Sequence, residues 1–129
     1  MANVVSWKEE PDEHDYPAAS AYLSLLADDE AVRQMVADLK ASPLKYGKAK
    51  DILRASRLTL LPLDNPHVNA DITKVKDGKS LSPILLVRGD LRHDIALQIA
   101  DGYHRVCASY HLAEDTDIPY RMAMVERGH

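Results

Sequence analysis

The chain has 129 residues, 46% hydrophobic and 28% charged, with one cysteine and no phenylalanine. That length and usage fit one folded domain burying about two thirds of its unfolded surface, and they exclude wholesale disorder and an internal disulfide framework. A formal net charge of -4 argues against a generic nucleic-acid binder, and no apolar run approaches the ~20 residues that a membrane span needs.

The start, MANVVSWKEEPDEHD, lacks the basic flank and apolar stretch of a secretory signal, so a cytoplasmic protein is expected. Residues 8–15 combine Pro11 with a cluster of carboxylates and read as an exposed arm outside the core. Pro17 suits the first turn of a helix through AASAYLSLLA, with Tyr22, Leu25 and Leu26 on one face. Asp28 or Asp29 caps a second helix, whose apolar stripe is Ala31, Val32, Met35, Val36 and Leu39; the two should form a hairpin. After Ser42-Pro43 a third helix is expected around Lys48 to Ala55, with Ala49, Ile52 and Leu53 inward.

From Arg57 the character changes. RLTLLPL is short, apolar and stopped by Pro62, as a strand would be. DNPHVNADITKVKDGK gives a helix with Asp64 or Asn65 as cap, Pro66 in its first turn, Val68, Ile72 and Val75 inward, and Gly78 past its end. SPILLVRG reads as a buried strand, DLRH as a turn and DIALQIAD as the returning strand of a hairpin. A helix from Tyr103 to Leu112 and a strand from Ile118 complete an α+β fold. Within one compact unit, residues 1–56 form an arm and helical cap, and 57–129 an α+β core around a small mixed sheet.

Charge is uneven along the chain. Residues 8–30 are mostly acidic, whereas 33–57 carry Arg33, Lys40, Lys45, Lys48, Lys50, Arg54 and Arg57 against Asp38 and Asp51. Solvated helix faces of opposite sign account for this more simply than a nucleic-acid surface.

The chemistry concentrates in QIADGYHRVCASYHL, residues 98–112. A strand ending at Ala100, followed by Asp101-Gly102 and a helix, bares the N–H groups of the helix's first turn and sums the peptide dipoles there, which attracts anions. Gly102 admits a ligand to the backbone, while His104 and Arg105 add donors, the arginine as a planar fork that matches phosphate oxygens. Asp-Gly at a helix start is also frequently only a turn.

ADGYHRVCASYHL, preceded by GKSLSPILLVRG and followed by IPYRMAM, resembles the ParB/sulfiredoxin superfamily over roughly residues 57–125; Gly102, His104 and Arg105 with Pro83-Ile84 are the most specific part. The resemblance implies a turn that binds nucleotide or other phosphate groups, with the segment holding Pro66, His67, Asn69 and Lys74 facing the same pocket. It therefore implies a ligand set of Gly102, His104, Arg105, His67 and Lys74 for a phosphate-bearing small molecule such as ATP or CTP; Tyr103, between them, either stacks on a base or plugs the pocket mouth, and phosphoryl transfer would call for Mg2+ as well. Sulfiredoxins place a catalytic cysteine where this chain has Tyr103, so their reaction is not expected. ParB partition proteins carry Glu-Arg-Arg where this chain has His-Arg, so partitioning by itself is not expected either. A branch that phosphorylates free serine needs a carboxylate base, for which Asp101 is the candidate, with His104 beside it for acid–base work; the simpler role of Asp101 is to hold the turn by accepting backbone N–H bonds. Whether turnover occurs is left open. The alternatives are a nucleic-acid-binding or nuclease-like module and a non-catalytic interaction domain, including a homodimer.

Other constellations are weaker. His104, Cys107 and His111 share a helical face and would make three zinc ligands, but Cys107 is better explained as core, so no metal site is expected. Ser109 lacks any surrounding nucleophile motif, and no Walker-type loop or dinucleotide fingerprint occurs.

Overall fold

A computed structural model describes residues 4–124. The elements are α1 (Asp15–Leu23), α2 (Asp29–Ala41), β1 (Lys45–Lys48), α3 (Ala49–Ser56), α4 (Pro66–Lys76), β2 (Ile84–Val87), a 3-10 turn (Leu91–His93), β3 (Gln98–Asp101), α5 (Tyr103–Leu112) and β4 (Asp117–Ala123). The four strands form one mixed sheet in the order β1-β4-β2-β3: β2 runs parallel to β4, and the outer pairs are antiparallel. The fold is α+β. Among the described residues no helix is long and apolar enough to cross a membrane.

The strand β2, ILLV, is buried throughout because helices cover both faces of the sheet. Ile84 and Leu86 join Ile99 and Ile118 in a core shared with α3, α4 and α5. Leu85 and Val87 join Ala100 and Ala123 in a second core under α1 and α2. The helix starts follow their expected chemistry: the Asp28 side chain accepts from the Ala31 N–H, and that of Asn65 accepts from the N–H groups of His67 and Val68, with Pro66 at the first helical position. Gly78 ends α4 at φ +76°.

Four expectations are corrected. First, the arm is exposed only in part: Lys8, Glu9, Glu10, Glu13 and His14 face solvent as expected, but Pro11 and Asp15 are buried and the Lys8 N–H donates to Leu81 O at 2.8 Å, which ties the segment to the fold. A carboxylate-rich segment can be buried where a cation waits for it, as Arg105 does. Second, α1 turns Asp15, Ala19 and Leu23 inward, leaving Leu25 and Leu26 exposed, because the helix stops at Leu23 and the later leucines fall outside it. Third, residues 58–63 pair with no strand: Leu60 and Leu61 pack instead against the α5 side of the core, and Thr59 and Leu61 offer their carbonyls to Tyr103 and His111. Fourth, the first strand lies in the segment expected to be a helical cap. The polar KYGK of β1 pairs antiparallel with β4 at the sheet edge, where exposed side chains are tolerated.

Candidate functional site

Gly102 opens α5 at φ +114°, and no side chain caps the helix. A Cβ there would stand 2.4 Å from Ile84 Cγ2, so the turn lies directly against β2 and only glycine fits. The first-turn amides and the positive end of the helix dipole thus sit where β3 ends.

Arg105, one turn into α5, is 12% exposed and already engaged. Its Nη2 donates to Asp101 Oδ2 at 2.6 Å; its Nη1 donates to Asp15 Oδ2 at 3.3 Å, to the Ser82 carbonyl at 3.0 Å and to the Ser82 hydroxyl. Asp15 Oδ2 also accepts from Ser82 Oγ at 2.9 Å and from the Asp12 N–H at 3.1 Å. Burial pushes Asp15 up, but the Arg105 charge and these hydrogen bonds outweigh it and hold the carboxyl below its usual value. Asp101 moves the other way: burial outweighs the attraction of Arg105, the negative Asp15 adds to it, and the pKa rises to about 6. The expectation that Arg105 is a free fork for phosphate is therefore corrected. Its donors serve two internal carboxylates, one of them ninety residues away in the chain.

His67 and His104 face each other across the α4–α5 contact, their ring centroids 4.7 Å apart and tilted by 42°. Burial first, and the neighbouring His67 second, lower the His104 pKa. Asp71, one turn beyond His67 on α4, is raised by burial against the pull of Lys74, Arg105 and the two histidines. These groups line a cavity of about 340 Å³ together with Gly102, Arg105, Asp101 and, from the N-terminal segment, Lys8, Asp12 and Asp15. The volume lies at the lower end for small-molecule sites.

Of the sequence-predicted residues, His67, Lys74, Asp101, Gly102, His104 and Arg105 come together on this cavity. Tyr103 does not: its hydroxyl donates to the Thr59 carbonyl and its ring packs on the core, so it is no platform for a base here. The His104, Cys107 and His111 set also fails to converge, because Cys107 is fully buried and His111 Nε2 donates to the Leu61 carbonyl at 2.7 Å. Sequence reasoning missed Asp15, Asp71 and Ser82. Asp71 sits at i+4 from His67 on a helix that was expected, so its face was readable; Asp15 was hidden in an acidic run.

Four cations of the basic stretch have carboxylate partners. Lys48 pairs with Asp117 at 3.7 Å, Lys50 with Asp115 at 2.8 Å, Arg54 with Asp51 at 3.2 Å, and Arg57 with Asp94. No protein-family model, curated protein or solved structure matches the chain.

Proposed function

We propose that this protein binds a phosphate-bearing small molecule, a nucleotide such as ATP or CTP with Mg2+, in the cavity at the start of α5. One observation carries the reading: Lys74, His67 and His104, whose side chains have no hydrogen-bond or ion-pair partner among the described residues, converge there on an uncapped helix N-terminus. Unpaired donors at the positive end of a helix suit an oxyanion. The resemblance of residues 57–125 to the ParB/sulfiredoxin superfamily points to the same turn. Gly102 gives the ligand access to the backbone, and Lys74 and His104 face its phosphate. Arg105 acts from behind, as the positioning residue that keeps Asp15 and Asp101 in place. Asp101, with a pKa of about 6, is mostly ionised at neutral pH yet basic enough to take a proton from an acceptor hydroxyl should transfer follow.

The test is a thermal-shift and calorimetric series with ATP, CTP and inorganic pyrophosphate, with and without Mg2+, on the wild type and Lys74→Ala. A ligand at a hundred times its Kd should stabilise by about 2.7 kcal/mol, a shift of several degrees for a domain this size. That shift should survive moderate salt, unlike backbone binding to a nucleic acid. No shift with any of the three ligands, or equal shifts in Lys74→Ala, would reject the reading.

A further inference from the structure

A second cavity, of about 660 Å³, opens on the face of the sheet opposite α5, between the α1–α2 hairpin and the ends of β2 and β3, and shares no lining residue with the first. Its floor is the buried Leu23, Met35 and Val87; its walls are Leu26, Ile95 and Met124, which remain 59%, 41% and 54% exposed. Large apolar side chains standing open around a depression cost free energy in water and mark a surface that takes a partner. They stand open here because α1 stops at Leu23, so that Leu25 and Leu26 run on past the helix. The apolar surface continues beyond the cavity: Leu25 adjoins Leu26, and Leu91 lies in the tight turn closed by the backbone pairing of Asp90 with Ile95, both highly exposed.

Charge on the lining has one sign. Asp28 and Glu30, from the start of α2, border the cavity, and no lysine, arginine or histidine does among the described residues. Asp28 spends one oxygen on the Ala31 N–H as the helix cap, whereas the Glu30 side chain makes no hydrogen bond or ion pair among the described residues. Arg88, which follows Val87, is exposed and stands outside the lining. The two lining amides are occupied, Gln34 with Asp38 at 3.1 Å and Gln98 with the Tyr22 hydroxyl.

We propose that this groove docks a cationic amphipathic helix of another protein, its apolar side chains on Leu26, Ile95 and Met124 and its lysines or arginines beside Asp28 and Glu30. Leucine-type anchors at i, i+3, i+4 and i+7 of such a helix fill an apolar groove, and the methionines of the floor and wall adapt to their shape. A helix runs on past the cavity to the exposed leucines at its border, which a small molecule seated inside would leave in water. A second copy is the wrong occupant, because two-fold, face-to-face docking sets Asp28 and Glu30 against the same carboxylates.

The experiment follows the fluorescence anisotropy of a labelled Leu/Lys amphipathic peptide about four turns long, with a Leu/Glu peptide of the same pattern as its counterpart, and the sedimentation velocity of the protein alone. The Leu/Lys peptide should bind one to one and the Leu/Glu peptide at least ~10-fold more weakly. Leu26→Ser and Met124→Ser should each weaken the Leu/Lys peptide at least ~5-fold, and Glu30→Lys should weaken it while strengthening the Leu/Glu peptide. All three side chains are exposed, so their loss leaves the core intact. Tyr46→Ser, on the exposed strand β1 at the other edge of the sheet, should change neither affinity. Absence of binding, equal affinity for the two peptides, or binding that Leu26→Ser and Glu30→Lys leave intact overturns the proposal. So does a concentration-dependent dimer that Leu26→Ser dissolves, which assigns the groove to a second copy. Uptake of dodecyltrimethylammonium that is sensitive to Leu26→Ser, with no uptake of the peptide, overturns it in favour of a small lipophilic cation.

Discussion

Asp15 and Arg105 meet across ninety residues of sequence, a carboxylate oxygen 3.3 Å from a guanidinium nitrogen, and Asp101 stands 2.6 Å from the same guanidinium. One cation thus joins the first turn of α1 to the β3–α5 turn. Removing it leaves two carboxylates facing each other in a largely buried place. Arg105→Ala should therefore cost about 3–5 kcal/mol, the range for breaking a buried ion pair by deleting one partner. Asp15→Asn should cost about 1–2 kcal/mol, because Arg105 keeps Asp101 and the amide oxygen can still accept from Ser82. Urea unfolding midpoints give both values. A wild-type midpoint in Arg105→Ala would show that the network contributes nothing to stability.

The same pair of carboxylates sets a pH dependence of opposite signs. Asp101 is raised from 3.8 to about 6 by burial, so between those values the folded chain holds its proton more tightly than the unfolded one. Its contribution to stability therefore falls as pH rises through that window and grows as pH drops through it. Asp15 is lowered, so its contribution is present above 3.8 and is lost as pH falls below. Burial also lowers His104, which makes acidification unfavourable from about 6.5 downward and opposes the Asp101 effect. The difference between wild type and Asp101→Asn isolates the aspartate. It should shift in favour of the wild type as pH falls from about 6.5 to 4, read as Tm against pH; a pH-independent difference would contradict the raised pKa.

Most of the fold was legible where local chemistry acts alone. Asp28, Asn65-Pro66, Gly78 and Gly102 mark helix ends by capping and by positive φ, and ILLV announces a strand buried on both faces. What escaped depends on partners far away in sequence. The polar KYGK is a strand only because β4 supplies hydrogen bonds at the sheet edge, and LTLLPL is not one because Leu60 and Leu61 pack on the core while the Thr59 and Leu61 carbonyls accept from the Tyr103 and His111 side chains. The turn at Gly102 was found from its own residues. The fate of Arg105 was not, since its partner Asp15 lies among acidic neighbours that resemble a solvated tail.

The two positive-φ glycines separate strain from overlap. At Gly78, with φ +76°, an added Cβ meets nothing within 4 Å, so Gly78→Ala should cost only the conformational penalty of about 1 kcal/mol. At Gly102 the same change adds contacts of 2.4 and 2.8 Å to Ile84, which is fully buried and cannot retreat. Gly102→Ala should cost about 2–4 kcal/mol, combining strain with overpacking. Chemical denaturation of both variants decides it, and equal losses would mean that the turn does not lie against β2.

Cys107 should be silent. It is fully buried among Val106, Ala108 and Ile118, and burial raises its thiol pKa, with a hydrogen bond from the chain near Leu61 only partly offsetting this. A neutral, enclosed thiol reacts poorly with disulfide reagents. Labelling should be negligible over minutes in native buffer at neutral pH and complete in concentrated urea. Prompt labelling of the native protein would expose the helix face that the zinc triad of His104, Cys107 and His111 requires.

Tyr103 gives a control that separates stability from binding at adjacent positions. Its hydroxyl donates to the Thr59 carbonyl and its ring packs on the core, while the next residue, His104, faces the cavity. Tyr103→Phe keeps the ring and deletes one hydrogen bond, so it should cost about 1 kcal/mol by urea unfolding. It should leave the response to pyrophosphate and ATP as in the wild type, because no cavity group is lost. His104→Ala should do the converse, weakening ligand response with a smaller change in midpoint. If Tyr103→Phe instead abolishes the nucleotide response, then the ligand reaches the Thr59 side of α5, and the cavity bounded by His67 and Lys74 is not where it binds.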